Sequence, residues 1–241
     1  MPQPNRNTTT RPAVAETGRP TSMQEWALVS IRRLLLEGEL KPGQRVNQGE
    51  LASRIGVSPV PVREALHVLG SDGLLDFDPG RGFRVAAPSR NDVAEVDLLT
   101  RLLEGEALRR GIPVITDDDI ARMRDLFEEL LALNGSDDIV RKTLVHRELH
   151  FVPFRAAGLR LLEADLARYW DHTDHHRVLY MFKDKKRSRQ ALLQHKSVID
   201  ACATKDPDEV IRLMNVHRDF AMDYMLERAS EAANDETEEK T

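Results

Sequence analysis

Apolar residues fall at helical spacing from about Met23 to Glu37, where Trp26, Val29, Ile31 and Leu34 to Leu36 form one stripe. Gly38 and the Lys41-Pro42-Gly43 turn stop that helix. Asn47, with Glu50 three residues later, opens a second, short helix as a capping-box variant, and Gly56 breaks it. Val57 then turns inward and Ser58 outward. Pro59 and Pro61 sit in the first turn of a third helix, where a missing N–H costs little. Val62, Ala65, Leu66 and Leu69 make its buried face and leave Arg63 and His67 outside. A strand after Gly73-Leu74-Leu75, a glycine-rich tip at Gly80-Arg81-Gly82 and a return strand through Phe83-Arg84-Val85 complete the unit.

After Pro88 the pattern changes to long amphipathic helices, expected near 90–111, 116–134, 136–157, 159–181, 185–204 and 206–230. Gly111-Ile112-Pro113, Asn134-Gly135-Ser136, Gly158 and Lys205-Asp206-Pro207 separate them. Pro153 should kink or end the third. The predicted fold is mainly α: an N-terminal winged helix-turn-helix over residues 23–88, then an antiparallel six-helix bundle over 89–230. Residues 1–22, rich in Pro, Thr and Asn, read as a disordered arm, and residues 231–241 as an acidic disordered tail.

A winged helix-turn-helix offers one helix to a major groove and a wing to the flanking backbone or minor groove. Ser58 and Arg63 lie at the start of the third helix; the arginine can pair with a guanine edge in a bidentate way. Arg81 at the wing tip, next to Gly80, can reach a groove that a bulkier backbone could not enter. Arg45, Arg54 and Val60 complete the candidate contact set. An arginine taken singly is most often solvated surface charge, so the weight lies on the ordered succession of turn, helix and wing.

The net charge of -5 looks wrong for a DNA binder. Its distribution resolves the conflict. Met23 to Pro88 hold seven arginines and one lysine against eight acidic residues, while the segment from Glu227 to Thr241 is strongly acidic. Specific contact would rest on a local basic face with modest non-specific affinity. The single cysteine, Cys202, suits a reducing compartment, and there is neither an apolar run of about 18 residues nor a signal-peptide pattern. A cytoplasmic protein that does not enter the membrane is expected.

The second half of the chain carries a different chemistry. His146 and His150 are four apart and share one helix face; His195 and His217 lie on the last two long helices among apolar positions. Four imidazoles from three helices could converge on one divalent ion, zinc first, with nickel or another late first-row ion as alternatives. A lone histidine on an apolar face is more often a satisfied core residue. His172, His175 and His176 form a second group of mixed direction, suited to lining an effector cavity or to simple solvation.

The segment Leu51–Leu66, with Gly73-Leu74-Leu75 and Arg81-Gly82-Phe83-Arg84-Val85, resembles the DNA-binding domain of GntR-family bacterial regulators. The helical remainder resembles the FCD effector domain of the FadR-like subgroup, and together they span about residues 24–228. The resemblance implies a homodimer on a pseudo-palindromic operator, usually repressing, with a small carboxylate effector held near a metal. It places His150, His195 and His217 on the family's three metal-binding histidines and His146 where the family has an aspartate. It also implies that Arg101, in Arg101-Leu102-Leu103-Glu104, contacts the effector's carboxylate. A second departure is Pro59, where the family's turn usually carries a base-reading arginine, so the usual half-site does not follow.

Two other functions compete. His146-Arg147-Glu148-Leu149-His150 is similar to the zinc-protease helix H-E-x-x-H. However, Arg147 occupies the position of the general base, and Glu148 faces away from the histidines. A constitutive DNA binder without an effector would keep the fold but leave the histidine set without a purpose.

Overall fold

Ser22 opens the first helix, α1 (Met23–Leu36), its hydroxyl accepting from the Glu25 N–H at 3.0 Å. A two-residue strand, β1 (Arg45–Val46), leads into α2 (Gln48–Ile55), capped by the Asn47 side chain, which accepts from the N–H groups of Gly49 and Glu50. Gly56 then takes the left-handed conformation at φ 73°, and the N–H groups of Gly56 and Val57 both return to the Ala52 carbonyl. A side chain at that φ would be strained, so the glycine makes the turn. It delivers the chain to α3 (Pro59–Ser71), with Pro59 in the first turn.

The computed structural model describes the backbone of residues 22–87, 90–176, 178 and 184–238, and their side chains except those of residues 90, 175, 176, 185 and 225–238. Apart from Ser22, the N-terminal arm expected at residues 1–22 lies outside the described residues. So do residues 239–241 of the expected tail.

The core of the N-terminal unit forms where Ala27, Ile31, Leu34 and Leu35 of α1 meet Val62, Ala65, Leu66 and Leu69 of α3. Several are fully buried, and each large one contributes about 1.5–3 kcal/mol against exposure. Two further strands, β2 (Leu75–Asp78) and β3 (Gly82–Val85), form the expected wing hairpin. β1 pairs antiparallel with β3 on its other side, giving the order β1-β3-β2. Phe83 and Val85 point into the core, while Arg84 and Phe77 face outward.

The remaining described helices are α4 (Arg90–Gly111), α5 (Asp117–Ala132), α6 (Ile139–Ala156), α7 (Arg160–His176), α8 (Lys185–Cys202) and α9 (Pro207–Glu238). A 3-10 turn at Ile112–Val114 joins α4 to α5, and a full capping box between Thr116 and Asp119 starts α5. The apolar faces of α4 to α9 enclose a second core that includes Leu108, Met123, Phe127, Leu149, Phe154, Trp170, Val198 and Met214. Pro153 lies inside α6, which continues only one turn beyond it to Ala156.

One expectation is corrected. Backbone from residue 231 to Glu238, read from sequence as a disordered tail, continues α9. Its Ala- and Glu-rich composition contains neither Gly nor Pro, and those residues favour helix without needing a buried partner.

Candidate functional site

In the winged unit Arg45, Arg54, Ser58, Val60, Arg63, Gly80 and Arg81 are all exposed. Ser58 caps α3 without bonding its N–H groups, which leaves the hydroxyl facing outward; Val60 is 53% exposed and Arg63 lies on the same open face. Arg81 projects from the hairpin tip beside exposed Gly80, its Nε 3.7 Å from Asp78 Oδ2. A surface pair of this kind is worth little and is readily exchanged for a phosphate. Arg45 on β1 stands directly opposite Arg84 on β3, and the Arg84 guanidinium is steadied by donating to the Gly43 carbonyl at 2.8 Å. Arg54 is exposed but already forms an ion pair with Glu39, so any role at a nucleic acid requires exchanging that partner.

The four histidines named from the sequence do come together. One ring nitrogen from each of His146, His150, His195 and His217 lies within 4.8 Å of the others, and all four side chains are buried. Among the described residues this is the one such cluster. His146 and His150 project from α6, His195 from α8 and His217 from α9. His150 Nε2 and His195 Nε2 are 2.9 Å apart, within hydrogen-bond distance. Gln194 Oε1 sits 3.0 Å from His217 Nδ1. An amide oxygen can only accept, so Nδ1 carries the proton and the Nε2 lone pair is left for a ligand.

The donor set fits a late first-row divalent ion, whose bonds to imidazole run about 2.0–2.1 Å for zinc. Buried neutral nitrogens would not suit calcium or magnesium, which take oxygen ligands. With four neutral ligands the ion's charge would stay uncompensated, favouring an anion beside it.

A pocket reaches this cluster at His150 and His217. Asp97, Thr100 and Glu104 of α4 form one wall at helical spacing; Trp170 and Thr173 of α7 form another; Met214, Arg218, Ala221 and Met222 of α9 complete the lining. The Trp170 indole N–H donates to Glu104 Oε1 at 2.8 Å, and Glu104 forms a buried ion pair with Arg218. Burial, followed by the nearby charge of Arg101, lowers the Arg218 guanidinium to about 10, which still leaves it cationic at neutral pH.

Arg101, expected to hold an effector's carboxylate, is not part of this lining. It lies one step round α4 and bonds Asp97 and Asp219, at 3.0 and 2.5 Å. Arg218 is the arginine at the pocket. Sequence reasoning missed it, together with Asp97, Thr100, Trp170 and Gln194. A usable signal was present for two of them: Arg218 follows His217 and Gln194 precedes His195.

Ion pairs link the histidine helix to the winged unit. Arg147, between His146 and His150 on α6, bonds Asp171 at 2.5 Å and Asp174 at 3.2 Å on α7. Burial works against its charge, but Asp174 and Asp171 more than compensate and raise its pKa. Asp171 also meets Arg32 of α1 at 2.9 Å, and Arg32 holds Asp72, the C-cap of α3, at the same distance. Arg147 is thus fully engaged in structure, which removes the resemblance to a protease helix. His172 touches Gly73 near this junction, where an added Cβ would come within 2.8 Å of its ring. The side chains of His175 and His176 lie outside the described residues.

A winged helix-turn-helix joined to a helical domain defines a DNA-binding regulator. Comparison with known proteins gives the family. Residues 27–85 match the bacterial regulatory protein gntR family and residues 96–220 match the FCD domain, so the chain belongs to the FCD-containing GntR regulators. It is 29% identical over 187 residues to the Nta operon transcriptional regulator of Aminobacter aminovorans, covering 78% of this chain and 87% of that protein. It is 28% identical over 183 residues to the uncharacterized HTH-type transcriptional regulator YdhC of Bacillus subtilis strain 168, covering 68% and 82%. The solved structure of Escherichia coli McbR/YncC superposes with a TM-score of 0.75 at 21% identity, over 88% of this chain and 99% of that one. A putative GntR regulator from Rhodococcus sp. RHA1 gives 0.72 at 18% identity, over 86% and 98%. These relatives are transcription regulators rather than enzymes, and among the described residues no helix is long and apolar enough to cross a membrane.

Proposed function

We propose that this chain is a metabolite-responsive repressor acting in the cytoplasm as a homodimer on a two-fold-related operator. Ser58 at the cap of α3, with Val60 and Arg63 of that helix, reads the major groove, while Arg81 beside Gly80, with Arg45 and Arg54, meets the backbone or minor groove. One short helix contacts few bases, so two half-sites are needed for specific affinity.

In the helical domain, His146, His150, His195 and His217 hold one divalent ion, most simply zinc. The ion would supply positive charge and, on expanding beyond its four imidazoles, a position for the carboxylate of a small effector, and Arg218 offers that anion a second cation. The observation that carries this reading is the buried four-imidazole cluster opening into a pocket that also holds a buried arginine. No apolar core needs four imidazoles in contact, because burying polar groups is unfavourable unless each is satisfied.

Mass spectrometry under non-denaturing conditions, before and after chelation, tests it. The parent should carry one ion per chain, His195→Ala and His217→Ala should carry none, and Gln194→Ala should bind it about 10–100-fold more weakly. A parent that stays metal-free after supplementation would sink the proposal.

A further inference from the structure

We propose that the pocket selects small carboxylic acids that also carry a hydrogen-bond donor, a hydroxyl or an amine, over plain acids of the same size. This rests on the carboxylate-effector reading above and narrows it. The selecting residues are Asp97 and Thr100.

The α4 wall of the pocket is unevenly satisfied. Glu104 is occupied, one oxygen accepting from Trp170 and the other paired with Arg218. Asp97 is half occupied: Oδ2 accepts from both Nε and Nη2 of Arg101, while Oδ1 is buried without a hydrogen-bond partner. One turn on, the Thr100 hydroxyl also lacks a partner, in a residue that is 4% exposed. Buried polar atoms left in this state are costly, and here both belong to residues that line the same pocket.

Their chemistry restricts what can satisfy them. A carboxylate oxygen only accepts, so the ligand atom against Asp97 Oδ1 must bring an O–H or N–H. A second carboxylate placed there would add lone pairs and like charge. The Thr100 hydroxyl can either accept or donate, so it complements a hydroxyl or an amine equally well. His150 of α6 and His217 and Arg218 of α9 line the same pocket from other helices and would take the anionic end of the ligand, leaving its donor for α4. Met214, Ala221 and Met222 supply the apolar part of the lining, against which a carbon segment would pack.

Calorimetric titration of the zinc-loaded full chain tests this with propionate and its 2- and 3-hydroxy and 2- and 3-amino derivatives. At least one derivative should bind about tenfold or more tighter than propionate, the size of a hydrogen bond to a charged acceptor. Thr100→Val should erase the advantage of a preferred hydroxy acid and Asp97→Asn that of a preferred amino acid. Both variants should keep zinc, which reports their folding, and the readout in each is the affinity of a derivative relative to propionate in that same variant. If all five acids bind the parent alike, the inference is wrong while the carboxylate reading stands. If none binds, propionate included, the carboxylate reading itself fails.

Discussion

Replacing Gly111 with alanine sets two opposed effects against each other at the crossing that positions the pocket. Gly111 ends α4 against the last turn of α6. A Cβ there would lie 2.3 Å from the Pro153 carbonyl oxygen and 3.0 Å from the Ala157 nitrogen. A tolerable carbon–oxygen contact is about 3.3 Å, so the helices must part by about 1 Å. Both close atoms belong to the backbone, and no change of rotamer can relieve them. In favour of the substitution, alanine is about 1 kcal/mol better than glycine in a helix, and φ of -79° at Gly111 accepts any residue. Overpacking typically costs about 1–3 kcal/mol, and a backbone clash belongs at the upper end. The expected net effect is a loss of about 1–2 kcal/mol. Gly105, on the same helix, has nothing within 4 Å of an added Cβ, so Gly105→Ala should gain up to about 1 kcal/mol. Urea unfolding of the three proteins reads both signs. Zinc affinity should fall for Gly111→Ala alone, because α4 carries Asp97, Thr100 and Glu104 while α6 carries His146 and His150. A Gly111→Ala protein as stable as Gly105→Ala would refute the close approach of the two helices.

Three further outcomes are expected. Arg63→Ala should cost about 1–3 kcal/mol of specific DNA binding and relax preference at its base, whereas Arg81→Ala should weaken binding across sequences with a shallower salt dependence. Gel shifts with the intergenic DNA flanking the gene measure both, and an unchanged affinity for Arg63→Ala would mean that α3 is not the reading helix. Buried Lys142 donates to Ser188 Oγ at 2.8 Å, and desolvation lowers its pKa to about 8. The unfolded chain therefore holds this proton up to about pH 10.5, and stability should rise as pH climbs from about 8 to that value. The same range includes an opposing contribution from Cys202, whose thiol burial raises to about 12, so the informative quantity is the parent minus Lys142→Met. A flat difference curve would show that Lys142 titrates normally.

Much of the winged unit could be read along the chain because its determinants are local. Asn47, Gly56, Ser58 and Pro59 act within a few residues of themselves, and the stripe Val62, Ala65, Leu66, Leu69 names its own buried face. The four histidines were also visible, since helical spacing and apolar neighbours turn His146, His150, His195 and His217 inward. Tertiary structure decided what no local pattern encodes. β1 exists only because β3 pairs with it across 39 residues, from Arg45 to Arg84. Arg101 and Arg218 are equally good arginines in sequence, yet Asp97 and Asp219 hold the first outside the pocket while Glu104 holds the second within it. The Arg32–Asp171 pair that ties α1 to α7 has no signature at all in the chain. Helix periodicity tells a residue which side of its own helix it occupies. Which partner waits on that side depends on how separate helices cross, and that is settled by packing among residues more than a hundred positions apart, as Arg101 and Asp219 are.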